Sequence, residues 1–274
     1  MSLQTQPAAP LPSQAGGRLT LPIQTGMDEE VRRLIARLDA DAVRNSDGTE
    51  LPGIVSELAT KVYSTYFVGR GDNAWADAHP DEATRIFLMS DRVAATADSP
   101  VSIDLLASWF ADQARPDTDC DVTRWWQAHD RTTGQELPAT AWSIGADGRT
   151  VTVHEALAGH VYTVSFLAIQ TWDPTQMYNY LTNGWDEDPT RVKEKPFDVR
   201  HKATWSHVRA HLSAWLTEHP EVDVVRFTTF FYHFTLVYGA DATERFVDWF
   251  GYSASVSVPA LEAFEEEYGY RLTA

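Results

Sequence analysis

Cysteine occurs once in 274 residues, at Cys120. No disulfide can therefore form within the chain, and the expected compartment is a reducing one, the cytoplasm. No basic segment followed by a short apolar core opens the sequence, which fits the same expectation. Basic side chains are also scarce: 22 Lys and Arg face 39 Asp and Glu, for a formal net charge of -17. Nucleic acid and anionic membrane surfaces need a basic face, so both are set aside as partners. A small anionic substrate is still compatible, because a pocket can be locally positive inside an acidic protein. No apolar run approaches the ~20 residues that cross a bilayer. Glycine loops of the form G-x-x-x-x-G-K and serine elbows of the form G-x-S-x-G are both missing, which removes P-loop phosphate binding and serine-hydrolase chemistry.

What is present is a globular composition, 43% hydrophobic and 12% aromatic, sized for one or two domains. Residues 1–17, MSLQTQPAAPLPSQAGG, are polar and rich in Pro, Gln and Ala, and read as a disordered tail. Val31, Leu34, Ile35 and Leu38 then recur at helical spacing, with Thr25 and Asp28 placed as a capping box. A short strand around Arg44, a turn at NSDGT and a second helix near 54–67, carrying Ile54, Leu58 and Val62, complete a first stretch of 18–83. From 84 to 157 the pattern changes to short β-like segments joined by turn residues. Gly145-Ala146-Asp147-Gly148 is a hairpin signal there, and one helix is expected near 102–114. A long buried strand at 160–172, a helix at 203–218, a buried strand at 223–234 and helices near 241–250 and 258–268 follow. Ser257 is placed as N-cap of the last, with Pro259 in its first turn. The expected organisation is α/β: a parallel-sheet domain over 18–83 and 158–274, interrupted by a small β-rich insertion at 84–157.

The chemistry begins with two echoing strands. Residues 41–46 read DAVRNS and 223–228 read DVVRFT. Each places an arginine in an apolar strand, where an unpaired guanidinium is costly. Either each arginine pairs with a neighbouring carboxylate, or the two converge on one anionic or hydrogen-bonding ligand. The segment after the 160–172 strand holds Trp172, Asp173, Tyr178, Asn179, Asn183 and Trp185. Aromatic faces and amides together are what a sugar ring needs, although a polar loop with two packed tryptophans has the same composition. His207 and His211 have the i, i+4 spacing of metal ligands, but no third ligand is evident in the sequence, and the pair reads as a solvated face. His154-Glu155 is followed by its next histidine, His160, two residues too late for a zincin. Arg70-Gly71-Asp72 reads as a turn.

Four segments carry a family resemblance: DAVRNSDGT (41–49), YTVSFLAIQTWDPTQMYNYLTNGW (162–185), DVVRFTTFFYHFTL (223–236) and VDWFGYSASVSVPALEAFEEEYGYRL (247–272). They resemble, in order, the galacto-N-biose/lacto-N-biose phosphorylases, or 1,3-β-galactosyl-N-acetylhexosamine phosphorylases. The resemblance implies a TIM-like (β/α) barrel, of which about three of the eight strands are recognisable. It also implies reversible, inverting phosphorolysis of β-1,3-galactosyl-N-acetylhexosamines to α-galactose 1-phosphate and the free N-acetylhexosamine. Inorganic phosphate is the co-substrate, with no cofactor and no metal. By position it makes Arg44, Asn183 and Arg226 substrate- or phosphate-contacting residues, with Asp47, Trp172, Tyr178 and Asn179 as further candidates. The family's general acid, an aspartate, falls beyond Ala274, so the expectation is the N-terminal part of a longer enzyme, inactive alone. Its partners would then be sugar and phosphate, the remainder of the enzyme, or a second copy. A non-catalytic sugar-binding module, or a glycoside hydrolase using Asp47 or Asp173, stands as the alternative.

Overall fold

The computed structural model describes residues 19–45, 51–58, 60–68, 71–109, 114–172, 190, 192–227, 235–238, 244–247 and 255–272. Two compact units divide the chain. Residues up to Phe67 together with Leu212–Thr228 form one, and Val68–His211 with the residues from Thr229 onward form the other.

The first unit opens with β1 (Thr20–Ile23), α1 (Asp28–Leu38), β2 (Ala42–Asn45) and β3 (Lys61–Tyr66). Asp28, Glu29 and Glu30 in the first turn of α1 and Arg37 in its last complement the helix dipole. Met27 occupies the N-cap with no side-chain bond, so the Thr25–Asp28 capping box does not form. The helix stops at Asp39, whose left-handed backbone (φ 51°) turns its N–H back to Ile35 O. The helix expected at 54–67 is instead a 3-10 turn, Gly53–Glu57, followed by β3. Ile54, Leu58 and Val62 fit a helical stripe, but the β-branched and aromatic run KVYSTY favours extended backbone.

Within the second unit come α2 (Asn73–Ala78), β4 (Arg85–Met89), β5 (Val93–Ala94), β6 (Val101–Asp104) and β7 (Ala114–Pro116). Then follow α3 (Val122–Trp125), β8 (Gln127–Asp130), β9 (Gln135–Glu136), β10 (Trp142–Ile144), β11 (Thr150–Val153) and β12 (Val161–Gln170). The helix expected at 102–114 is absent among the described residues of that range: β6 and a turn stand there, and Ala114 opens β7. After α4 (Lys202–Glu218) and β13 (Val224–Phe227), the described elements are β14 (Thr235–Tyr238), β15 (Glu244–Val247), β16 (Ser255–Val256) and α5 (Val258–Tyr268). The helix expected near 241–250 is contradicted at 244–247, which pair with β14 as an antiparallel strand. In α5, Ser257 Oγ accepts from Ala260 N–H at 3.2 Å and Gly269 (φ 75°) closes the helix.

β12 does not extend the parallel sheet, as its length and hydrophobicity suggested. It is the spine of a 7-stranded sheet and pairs antiparallel with β4, β5, β7 and β8. Every β12 residue but Val161 is buried, and a strand covered on both faces reads as a continuous apolar run in either kind of sheet. Phe166, Leu167 and Val164 join Ile86 and Trp126 in the core, to which Val256 and Leu261 of the C-terminal segment also belong. Among the described residues no helix is long and apolar enough to cross a membrane.

A second, 3-stranded sheet runs β10-β11-β6. The β10–β11 hairpin closes at Gly145-Ala146-Asp147-Gly148, where Gly148 has φ 64° and Gly145 N–H bonds Thr150 O at 2.7 Å. Asp147 organises the turn by accepting from Thr150 Oγ1 at 2.6 Å, Thr150 N–H at 2.9 Å and Arg149 N–H at 3.0 Å. These bonds, that of the Thr150 side chain first, hold its carboxyl at about 2, against an ordinary 3.8. A depressed folded pKa gives stability present above 3.8 and lost as pH falls through about 2. The Thr150 and Arg149 amide resonances should therefore titrate with a midpoint near 2, and Asp147→Ala should abolish that titration.

Candidate functional site: one face of the parallel sheet

The first unit is built on a 4-stranded sheet in the order β1-β2-β3-β13, parallel at every pairing. Among the described residues it is open, with β1 and β13 as its edges. Partners in a parallel ladder point to the same side, and successive residues alternate. Ile23, Val43 and Val62 on one face pack with Val31 and Ile35 of α1, forming the buried side. Further along that face, Tyr66 packs on Trp215 at 5.4 Å and edge-on to Phe227 at 6.2 Å.

The opposite face carries the two arginines. Arg44 is in register with Tyr63, and Arg226 with Thr65, so all four side chains leave the sheet on the side away from α1. Each arginine is the third of four residues in its strand, toward the C-terminal end, where barrel enzymes place their sites. β3 stands between their two strands. Two strand spacings and a two-residue offset put their Cα atoms roughly 12 Å apart, near enough for two long side chains to contact one small ligand. Both are half-buried, and Arg44 Nη1 donates to Asn45 O at 3.3 Å.

Two residues that sequence reasoning passed over hold these strands in register. Asn45, buried beneath Arg44's strand end, accepts from Thr65 N–H at 3.0 Å and donates to Ser64 Oγ at 3.4 Å. Asp223, the acidic residue of the second echo, accepts from Val62 N–H through Oδ2 at 2.8 Å, while its own N–H bonds Val62 O at 2.9 Å. That double clamp on β3 sets Arg226 level with Thr65. The acidic position of the repeated motif thus has a structural task in β13, and the available signal was its place one residue before a strand.

Of the other expected contacts, Asp47, Tyr178, Asn179 and Asn183 lie outside the described residues. Trp172 is described, in the second unit, and is 2% exposed. The ammonium of Lys193 sits 4.3 Å from its ring centroid, so the indole packs in the interior, where a sugar could not stack on it without rearrangement.

Over residues 17–274 the sequence matches the family described as lacto-N-biose phosphorylase N-terminal TIM barrel domain. It is 44% identical over 255 residues to a 1,3-β-galactosyl-N-acetylhexosamine phosphorylase of Lachnoclostridium phytofermentans, covering 93% of this chain and 35% of the relative. A phosphorylase of the same description from Bifidobacterium longum is 45% identical over 256 residues, 93% of this chain and 34% of the relative. A D-galactosyl-β-1→4-L-rhamnose phosphorylase of L. phytofermentans is 36% identical over 260 residues, 94% and 35% respectively. The chain therefore spans about a third of the length of the curated relatives it matches.

Proposed function

Because the chain belongs to the lacto-N-biose phosphorylase family, with the N-terminal TIM-barrel domain as its matched part, we propose that it carries the phosphate- and galactosyl-binding portion of an inverting β-galactoside phosphorylase. The reaction is attack of a phosphate oxygen on the anomeric carbon of a β-linked galactosyl unit. The new C–O bond forms as the glycosidic C–O bond breaks, and a proton goes to the departing oxygen. The products are α-galactose 1-phosphate and the free acceptor sugar.

The observation that carries this reading is the pair of arginines on the face of the parallel sheet away from α1. An inverting hydrolase uses a second carboxylate to activate water. When phosphate is the nucleophile, that position calls for groups that bind an anion, and the guanidinium fork matches phosphate oxygens two at a time. Arg44 and Arg226 fill this role, with the neutral Tyr63 and Thr65 between them. Galactose is common to the names of these relatives, whereas one differs in its acceptor, L-rhamnose in place of N-acetylhexosamine. The higher identities, 44% and 45%, are with the acetylhexosamine enzymes, which favours lacto-N-biose and galacto-N-biose as substrates. Asn183 would contact the sugar or phosphate from the segment after β12.

A polypeptide carrying this domain, incubated with lacto-N-biose, is expected to release galactose 1-phosphate only when inorganic phosphate is present. A coupled assay for galactose 1-phosphate, run beside one for free galactose, decides the matter. Free galactose formed at the same rate without phosphate would replace the phosphorylase with a hydrolase. Galactoside binding with neither product would leave a sugar-binding module.

A further inference from the structure

Three residues set aside in the sequence meet in the second unit. Asp72 caps the N-terminus of α2, its Oδ1 accepting from Trp75 N–H at 3.2 Å. Its other oxygen, Oδ2, is hydrogen-bonded to His207 Nε2 and lies 3.6 Å from His211 Nδ1. The histidines are one turn apart on α4, and one donor atom from each of the three residues falls within 4.8 Å of the others. The third ligand that the His-x-x-x-His spacing lacked is thus supplied from 135 residues upstream, by the aspartate of a tripeptide that reads as a turn.

We propose that Asp72, His207 and His211 form a binding site for a divalent first-row transition ion, with zinc the best fit. Two imidazoles and one carboxylate are a borderline donor set that suits zinc, and three protein ligands leave a fourth position for water. Tetrahedral coordination at zinc's usual bond lengths needs donor atoms roughly 3.3 Å apart, which small rotations of these side chains supply. The direct His207–Asp72 hydrogen bond is the contact that the ion would replace.

The surroundings fix the ligands in advance, as outer-shell groups do in metal sites. The His207 ring is stacked on Trp75 (3.8 Å between centroids, 11° between planes), and His79 stacks on the indole's other face at 3.7 Å. Trp75 Nε1 donates to Thr204 Oγ1 at 3.0 Å, and Thr204 donates in turn to Glu82 through its backbone N–H at 2.9 Å. A hydrogen-bonded clip would require one histidine. The second, half exposed, turns its Nδ1 toward the same oxygen, its ring 4.1 Å from that of His207.

The test is titration of the metal-stripped 274-residue chain with Zn2+ by calorimetry, and with Co2+ by visible absorption. One ion per chain is expected, with the intense Co2+ bands of four- or five-coordination and a Zn2+-dependent rise in unfolding temperature. Asp72→Asn keeps the cap, since Asn caps as well as Asp, and should weaken binding about tenfold or more, as should His211→Ala at its exposed site. His154→Ala, at an exposed position away from the cluster, should bind as the parent does. Equal affinity in parent, Asp72→Asn and His211→Ala would overturn the site. So would a Co2+ spectrum no different from the aqueous ion. If Asp72→Asn unfolds, His211→Ala alone decides.

Discussion

Arg226→Lys, in a polypeptide carrying this domain, is expected to lower kcat/KM for phosphate by roughly ten- to a hundredfold while leaving the unfolding free energy within about 0.5 kcal/mol. Lysine keeps the charge and gives up the planar two-donor fork. A hydrogen bond to a charged group is worth about 1.5–3 kcal/mol, which brackets that loss at tenfold per 1.4 kcal/mol. Arg44→Lys should behave alike. If both arginines hold one phosphate, the double variant should fall short of the product of the two losses, because removing either already disrupts the shared ligand. Steady-state rates at varied phosphate, set beside urea unfolding of the same variants, separate this from a purely structural task. An unchanged phosphate KM with lowered stability would show the arginines to be ion-pairing residues of the sheet and would withdraw the phosphate assignment.

Asp117→Ala should be the most damaging single change in the second unit. Asp117 is fully buried; its Oδ2 accepts from Arg85 Nε at 2.6 Å and its N–H bonds Leu167 O at 2.9 Å. Arg85 spends its Nη1 on Asp81 O and Ala83 O, at 2.8 and 3.0 Å. Removing the carboxylate leaves a guanidinium, itself 10% exposed, without its counter-charge, and breaking such a pair costs about 3–5 kcal/mol. Replacing both partners, as Arg85→Met with Asp117→Leu, should recover most of that loss, because desolvation of two charges disappears with them. Urea unfolding of the single and double variants measures it, and a loss under about 1 kcal/mol for Asp117→Ala would refute the account. The lone cysteine reports on the same place. Burial first, and then the Asp117 charge, pushes the Cys120 thiol up to about 12, so it stays protonated and unreactive. Asp117→Ala should lower that value and quicken its labelling.

The parallel sheet was legible where local chemistry and pairing agree. Arg44 and Arg226 stood out because a charge in a Val-rich strand is costly, and both are on the face away from α1. β3 was misread because Ile54, Leu58 and Val62 satisfy a four-residue spacing by coincidence, and only pairing with β2 and β13 resolves it. The strand at 161–170 was found, but its direction was not, since apolar content reports burial and carries no trace of neighbours' polarity. The β-rich character of 84–157 showed in its turn residues, and β4 through β11 lie there. Asp72 was invisible as a ligand because its partners are 135 residues away, and a turn aspartate looks the same with or without them.

The adjacency of β3 and β13 has a temporal side. Val62 and Asp223, hydrogen-bonded neighbours across that junction, are separated by 161 residues of chain. A ribosome adding about 5–20 residues per second needs on the order of ten to thirty seconds to travel that far. Throughout that interval the β3 edge is a row of unsatisfied amides and carbonyls, while β12 can already gather β4, β5, β7 and β8 around itself. The antiparallel sheet should thus assemble largely during synthesis, and the strand bearing Arg226 should dock late. In a pulse-labelled translation, the epoch before residue 224 emerges is when the nascent chain most needs a chaperone.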